Sequence, residues 1–328
     1  MRALVTGATG FVGANVVAAL NQAGWAVRVL HRPQSRLTAL AGLHYESALG
    51  DVLDPPSLTP ALHGCQVVFH AAGVADYWRT DQRHMYRVNV DGTRNVMAAA
   101  RQAGVERVVH TSSAAALGIP DNGQVLDETH NWNVPPARFP YGHSKHLAEQ
   151  VVQAEVARGL PAVIVNPTVV LGPRDVNLGS VTLILALYKR RVPVLLPGGL
   201  NAIGAADVAA GHLLAAERGR VGERYLLGCE NLTTAEFARL VGETIGAPTP
   251  RVMLPRTVIG AAARAVGVAG RLSPWPLPVT DALIRLSTET FYFDASKART
   301  VLGLPQTPLR QVVRETFDWL QSGGYLDR

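Results

Sequence analysis

The opening stretch MRALVTGATGFVGANVVAALNQAG limits the architecture more than any other part of the chain. Residues 2–6 are a short apolar run with the look of a buried strand. Three glycines follow at Gly7, Gly10 and Gly13, and apolar residues then recur at helical spacing across 11–23. A strand that turns through glycines straight into a helix begins a βαβ unit. The first turn of a helix leaves backbone N–H groups free and carries a partial positive charge. Gly7, Thr9, Gly10, Phe11, Val12 and Gly13 therefore form a candidate cradle for an anionic ligand, and above all for the pyrophosphate of a dinucleotide.

The pattern then repeats. Residues 26–31, 66–70, 106–111 and 162–166 are further β-branched runs, separated by amphipathic helical segments such as 80–103 and 141–159. This alternation predicts an α/β fold of Rossmann type, a doubly wound parallel sheet with helices on both faces. Residues 168–204 are rich in Pro and Gly, 204–217 return to helix and 223–228 to strand. The expected division is a dinucleotide-binding domain of residues 1–167 and 205–229, with a smaller, mostly helical substrate lobe of 168–204 and 230–328. A chain of 328 residues is long enough for both.

With 48% apolar and 17% charged residues, the chain is not a disordered protein. The net charge of +6 comes from scattered arginines. The densest cluster, YKRRV at 188–192, reads as a solvated helix end, so no nucleic-acid partner is expected. The two cysteines, Cys65 and Cys229, have neither disulfide-framework nor metal spacing, which points to a reducing compartment. No charged-then-apolar leader opens the sequence, and no apolar run is long enough to span a bilayer, so a cytoplasmic protein is expected.

Residues beyond the glycine turn narrow the cofactor. An NAD site usually carries an acid about twenty residues on, bonded to the ribose 2′-hydroxyl. Here no Asp or Glu precedes Glu46, and the second strand ends in His31, Arg32 and Arg36. Guanidinium groups suit a 2′-phosphate, so NADP is favoured, with NAD possible. In GDVLD at 50–54, Asp51 is placed to meet the adenine amine, with Val52 beside it. In HAAG at 70–73, the small residues Ala71, Ala72 and Gly73 let backbone approach a ligand.

Tyr141 and Lys145 lie four residues apart, on one face of a helix. Lys145 is one of only three lysines in a chain with 28 arginines. A fixed ammonium near a phenol favours the phenolate and brings a group with an ordinary pKa of about 10 toward the working range. One strand earlier, VVHTSSAAALG at 108–118 places hydroxyls at the carboxyl edge of the sheet. Ser113 is the preferred substrate-orienting group, with Thr111 and Ser112 as competing choices.

Taken in order, TGATGFVG, GDVLD, HAAG, NVDGTRNV (89–96), TSSAAALG, YGHSK and NPTVVLGP (166–173) resemble the extended short-chain dehydrogenase/reductases. These are the NAD-dependent epimerase/dehydratase proteins, and the resemblance is strongest to their branch of dihydroflavonol reductases, 3β-hydroxysteroid dehydrogenases and hopanoid-associated sugar epimerases. The resemblance implies Tyr141 as general acid/base, Lys145 as its activator and ribose ligand, and Ser113 as the substrate-orienting hydroxyl. It implies a structural role for Asn89 and a nicotinamide site near Asn166 and Pro167, with Thr111 on the same edge. It also places Arg32 at the NADP phosphate, and it implies a homodimer through the helices around 81–103 and 141–159.

Nucleotide-sugar members commonly carry an arginine before an Asp-Val helix. The matching stretch here, PGGLNAIGAADVAAG at 197–211, has no basic residue, and Ile203-Gly204-Ala205 before Asp207 departs from the usual pattern. Aromatics instead surround the expected site: Tyr77 and Trp78, Trp132 and Phe139 ahead of Tyr141, and Trp275. They suggest an apolar pocket in which Trp78, Ser113, Trp132 and Phe139 meet the substrate. His143, His146 and Glu149 share helical spacing without a further ligand cluster, so no metal is expected. The sequence thus favours an NADP-dependent oxidoreductase acting on a small apolar carbonyl or its alcohol. A sugar epimerase or dehydratase without net redox change is the alternative, and an NADP-sensing protein without turnover is the alternative of another class.

Overall fold

A computed structural model of the chain describes residues 1–75, 81–121, 123–250, 252–272 and 281–326. In chain order the strands are β1 (Arg2–Thr6), β2 (Ala26–His31), β3 (Glu46–Leu49), β4 (Val67–His70), β5 (Arg107–Thr111), β6 (Val125–Leu126), β7 (Ala162–Pro167), β8 (Val169–Leu171), β9 (Gly199–Gly204), β10 (Arg224–Leu227), β11 (Glu230–Thr233) and β12 (Tyr292–Phe293). The helices are α1 (Phe11–Gln22), α2 (Pro55–Leu62), α3 (Gln82–Tyr86), α4 (Thr93–Ala103), α5 (Pro140–Val156), α6 (Thr182–Tyr188), α7 (Ala205–Arg218), α8 (Thr234–Ile245), α9 (Arg256–Leu272), α10 (Asp281–Leu286) and α11 (Leu309–Ser322).

Seven strands form one parallel sheet in the order β10-β7-β5-β4-β1-β2-β3. Strand order reverses between β1 and β4, and ligands bind at the carboxyl edge of such a switch point. Alternate residues of each strand feed two cores. Val5, Phe69, Val109 and Val165 pack toward α1 and α7. Leu4, Val68, Val108 and Ile164 pack with residues of α2, α4 and α5. Being buried on both faces is why these strands read as continuous apolar runs. Ala298, Leu302 and Leu304, from the C-terminal hundred residues, also belong to the α1/α7-side core.

The expected helix over 80–103 appears as α3 and α4 joined by one wider π-type turn, Arg87–Gly92. The residues outside the large sheet that are expected to form a smaller lobe include a further core cluster, with Leu171, Ile184, Phe237, Val241, Val312 and Phe317 among its members. Beside their helices these residues contain a three-stranded sheet, β11-β9-β8, in which β8 and β9 are parallel and β9 and β11 antiparallel. A two-residue ladder between β6 and β12 joins them to the loop ahead of α5.

Candidate active site

The turn after β1 is built for close approach of backbone. Gly7 has φ +69°, and a β-carbon there would lie 2.4 Å from the Ala72 nitrogen and 2.5 Å from the Ala71 carbonyl oxygen. A β-carbon at Gly13 would lie 2.3 Å from the Gly7 oxygen. The Gly10 N–H closes the turn on Gly7 O at 3.0 Å. Helix α1 then starts with no capping side chain and no acid in its first turn. Its free N–H groups and dipole are therefore left for an external anion. On the other side of the switch point, Ala71 N–H donates to Thr6 O (3.1 Å) and Ala72 N–H to Thr6 Oγ1 (3.3 Å).

At the end of β2, Arg32 N–H donates to Ser35 Oγ (3.2 Å), and the side chains of Arg32 and Arg36 are exposed. Among the described residues neither arginine takes part in an ion pair. Asp51 Oδ1 accepts from Leu53 N–H (2.9 Å), and Val52 is buried with its carbonyl held by Asn95 Nδ2 (3.0 Å). A bare-backbone cradle, an uncapped helix N-terminus and unpaired cations one strand away fit a nicotinamide dinucleotide. Gly7 to Gly13 would hold its pyrophosphate and the β2 end its adenosine ribose.

The chemistry-bearing side chains converge from α5 and the end of β5. Pro140, at the first position of α5, suits a helix start because no N–H partner is needed there. One turn of the helix stacks Lys145 on Tyr141, and both side chains are buried. Lys145 Nζ donates to Thr111 O at 2.8 Å. Burial lowers its pKa to about 8, with the Glu149 carboxylate opposing the drop. Burial pushes the Tyr141 phenol up, and a hydrogen bond with the Ser113 side chain brings it partway back. The sequence expects Lys145 to draw that phenol down. The structure has the low polarity around Tyr141 prevailing instead, with the ammonium engaged by a backbone carbonyl.

Of the three hydroxyls at the end of β5, Ser113 meets Tyr141. Thr111 Oγ1 lies 2.9 Å from His212 Nε2, and Ser112 Oγ donates to Glu149 Oε1 at 2.5 Å. Ser113 has an extended backbone and its Oγ accepts from Ala115 N–H (3.2 Å), capping the short turn Ala114–Leu117. Asn166, at the end of β7 beside Pro167, donates from Nδ2 to Ser113 O (3.0 Å) and to Glu149 Oε1 (2.6 Å). Its Oδ1 is buried and has no hydrogen-bond partner among the described residues.

Asn89 sits in the π-type turn, which swings its side chain toward the loop after β4. Its Oδ1 accepts from Val74 N–H (2.7 Å), and its Nδ2 donates to Val74 O (3.1 Å) and Ser144 Oγ (2.9 Å). Ser144 Oγ in turn donates to Tyr141 O (2.7 Å). The same loop brings Gly73 close to Lys145: a β-carbon on Gly73 would lie 3.4 Å from Nζ.

Around Tyr141 the wall is hydrocarbon. Met85, Ala115, Ile119 and Phe139 are buried with it, and Val74, Tyr86, Trp132, Leu286 and Phe291 pack against the cluster. Trp132 lies against Phe139 (centroids 6.2 Å apart), His143 (5.5 Å) and His146 (5.7 Å). Met85, Ile119, Leu286 and Phe291 carry no local signature and come from four separate segments, so sequence reasoning missed them. Tyr77, Trp78 and Trp275 lie outside the described residues.

His143 Nδ1 meets Tyr86 Oη at 2.9 Å and His146 Nε2 meets Gln150 Nε2 at 3.0 Å, while Glu149 turns to Ser112 and Asn166. Among the described residues no group of three or more His, Cys, Asp or Glu is placed to hold a metal ion. The stretch without cations, 199–211, forms β9 and the start of α7. Asp207 there accepts from Thr307 N–H and Thr307 Oγ1, both at 2.8 Å, and so anchors the loop ahead of α11. Among the described residues no helix is long and apolar enough to cross a membrane.

Residues 3–228 match the model of the NAD dependent epimerase/dehydratase family. Sterol demethylase protein B of Methylococcus capsulatus is 38% identical over 331 residues, covering 99% of this chain and 100% of that protein. A 3 beta-hydroxysteroid dehydrogenase/Delta 5→4-isomerase of Mycobacterium tuberculosis is 31% identical, covering 98% of this chain and 90% of that protein. The crystal structure of gox2253 superposes with a TM-score of 0.88 at 38% identity and covers 98% of both chains. The glycine cradle at the switch point and the matched span together place the chain in the NAD dependent epimerase/dehydratase family, an enzyme of the extended short-chain dehydrogenase/reductase type.

Proposed function

We propose that this enzyme is an NADP-dependent oxidoreductase that interconverts an apolar ketone or aldehyde with its alcohol, using Ser113, Tyr141 and Lys145. The observation that carries the reading is the setting of the Ser113–Tyr141 pair, two bonded hydroxyls in a wall of Met85, Ala115, Ile119, Phe139, Leu286 and Phe291. A pocket of hydrocarbon around a few placed polar groups suits a small organic substrate. A diphosphate would require cations, and the 199–211 stretch offers none. The contribution of Leu286 and Phe291 supports reading residues 168–204 and 230–328 as the substrate-selecting lobe.

A bound nicotinamide dinucleotide would supply the hydride. Ser113 Oγ and Tyr141 Oη hydrogen-bond the carbonyl oxygen, orienting and polarising it. As negative charge develops on that oxygen, Tyr141 donates its proton. Its raised pKa keeps the phenol protonated at neutral pH. Lys145 carries its charge below about pH 8 and stabilises the phenolate left behind. In the oxidising direction Tyr141 takes the proton of the alcohol. Arg32 and Arg36, exposed and outside the ion pairs of the described residues, suit the 2′-phosphate and favour NADP over NAD.

Redox-neutral sugar epimerisation is the second reading, favoured by the family to which the chain belongs. Titrating the purified protein with NADPH and NADH, alongside turnover of apolar carbonyls and nucleotide sugars, separates the two. The expected result is binding of NADPH at least about tenfold tighter, a preference abolished by Arg32→Ala, with turnover confined to apolar carbonyls. An oxidised NAD retained through purification, with turnover of a nucleotide sugar, overturns the proposal.

A further inference from the structure

We propose that the buried Glu149 and the part-buried Arg224 form a positioning pair that sets Ser113 and the Trp132 loop against Tyr141; the role rests on the assignment of Ser113 and Tyr141 as the reacting hydroxyls. Glu149 lies one turn beyond Lys145 on α5 and is 5% exposed. Its Oε1 accepts from Ser112 Oγ (2.5 Å) and Asn166 Nδ2 (2.6 Å). Its Oε2 accepts from Arg224 Nη1 (3.1 Å). Asn166 spends its second N–H on Ser113 O (3.0 Å). One carboxylate therefore joins the catalytic helix to the ends of β5 and β7, on both sides of Ser113.

Arg224 extends the assembly outward. It projects from β10 and donates from Nε to Glu128 O (2.8 Å) and from Nη2 to His130 O (2.5 Å). Glu128 Oε1 accepts from Leu226 N–H (2.8 Å), a second tie between that loop and β10. Two residues after His130 comes Trp132, which packs on Phe139 and the α5 histidines. One ion pair thus ties the strand ends beside Ser113 to the loop that carries Trp132.

None of these bonds belongs to a strand ladder or to the backbone ladder of a helix. An ion pair with one partner buried and the other part-buried is a weak source of stability, because the cost of desolvation offsets the attraction. What it supplies is a fixed geometry, since each charged hydrogen bond is strongly directional. The two partners should have separable effects. Glu149 acts through Ser113 and so on kcat. Arg224 acts through the 128–132 loop and so on substrate KM.

The test combines Glu149→Gln, Glu149→Asp and Arg224→Met, each characterised by NADPH affinity, thermal midpoint, kcat and KM. Trp132 fluorescence is isolated by difference from Trp132→Phe. Expected are a fall in kcat of about tenfold or more in Glu149→Gln with NADPH affinity within about twofold, and partial recovery in Glu149→Asp. Arg224→Met should raise substrate KM more than it lowers kcat and should increase acrylamide quenching of Trp132. Variants that lose thermal stability but keep kcat, KM and the Trp132 signal of the parent overturn the proposal. If the parent turns over no carbonyl, the functional reading fails on its own. Trp132 quenching then still decides the structural half, because it needs no substrate: unchanged quenching in Arg224→Met overturns the pair's hold on the loop.

Discussion

At the scale of single residues, the proposed chemistry turns on a tyrosine and a lysine one helical turn apart. A phenol kept protonated by burial is a proton donor at neutral pH, and it needs a nearby cation only once the proton has left. Tyr141→Phe should therefore cost about 10²-fold or more in kcat while leaving NADPH affinity within about twofold, measured by steady-state kinetics and fluorescence titration. The choice of lysine has a pH consequence. With its pKa lowered to about 8, Lys145 is charged below that pH and progressively neutral above it. Reduction should then decline as pH rises through about 8. Lys145→Arg, whose guanidinium does not titrate there, should be slower throughout but lack this alkaline limb. A pH–rate profile of both proteins checks the point; the same limb in the arginine variant would assign it to another group.

At the scale of elements, the structure shows which local features need a partner from elsewhere. Helix α2 ends against the guanidinium of Arg28 on β2, which is 7% exposed. Nη1 donates to Ala61 O (2.8 Å) and His63 O (2.7 Å), while Nη2 pairs with Glu46 (2.9 Å). Arg28→Met should destabilise the protein by about 3 kcal/mol, since charged hydrogen bonds to buried carbonyls are lost and those carbonyls remain. Glu46→Gln should cost far less, because that carboxylate is half in solvent. Chemical denaturation of the two variants distinguishes them. Nothing in the sequence around Arg28 announces a helix cap, because the helix it serves begins 27 residues later. The same logic separates what was legible from what was not. β1, β2, β4, β5 and β7 are buried on both faces and stand out as apolar runs. β3, ESAL at the sheet edge, is largely exposed and has no such signature. β8 and β11 are short, and β9 begins and ends in Gly just after a Pro-Gly pair, so their pairing is set by tertiary contact. Tyr141, Lys145 and the glycine cradle were legible because their spacing is itself the geometry. The apolar wall was not, because Met85, Ile119, Leu286 and Phe291 meet only through the fold.

At the scale of the whole molecule, a chain of 328 residues keeps three of its ten histidines fully buried in the middle of the sheet domain. Register sets Thr6, His70 and His110 side by side on β1, β4 and β5. Thr93 Oγ1 donates to Asn89 O (2.6 Å), so it accepts from His70 Nε2 (3.0 Å), and His70 Nδ1 accepts from Thr6 Oγ1 (2.7 Å). On the opposite face, His212 Nδ1 donates to Val208 O (2.7 Å), which leaves its Nε2 to accept from Thr111 Oγ1. These bonds hold both rings neutral. Burial lowers His70 to about 3 and His212 to about 4, and it takes His110 well below its ordinary value of 6.5, with the Lys145 charge adding to the drop at His70 and His110. Because the unfolded chain binds these protons below pH 6.5 and the native state does not, stability falls as pH falls through this window. Each histidine contributes about 1.4 kcal/mol per pH unit until its folded pKa is reached. The three are not equivalent. Among the described residues His110 has no hydrogen-bond partner on either ring nitrogen, so His110→Leu removes a buried polar ring without stranding another of these groups. That variant should match or exceed the parent at pH 7.5 and show a shallower loss of stability between pH 6 and pH 4.5. His70→Leu would flatten the same slope, but it leaves the Thr6 hydroxyl without an acceptor for its proton and should cost about 1–3 kcal/mol at neutral pH. Urea denaturation of the three proteins at several pH values reads both effects. An unchanged acid slope in both variants would place the acid sensitivity in carboxylates instead.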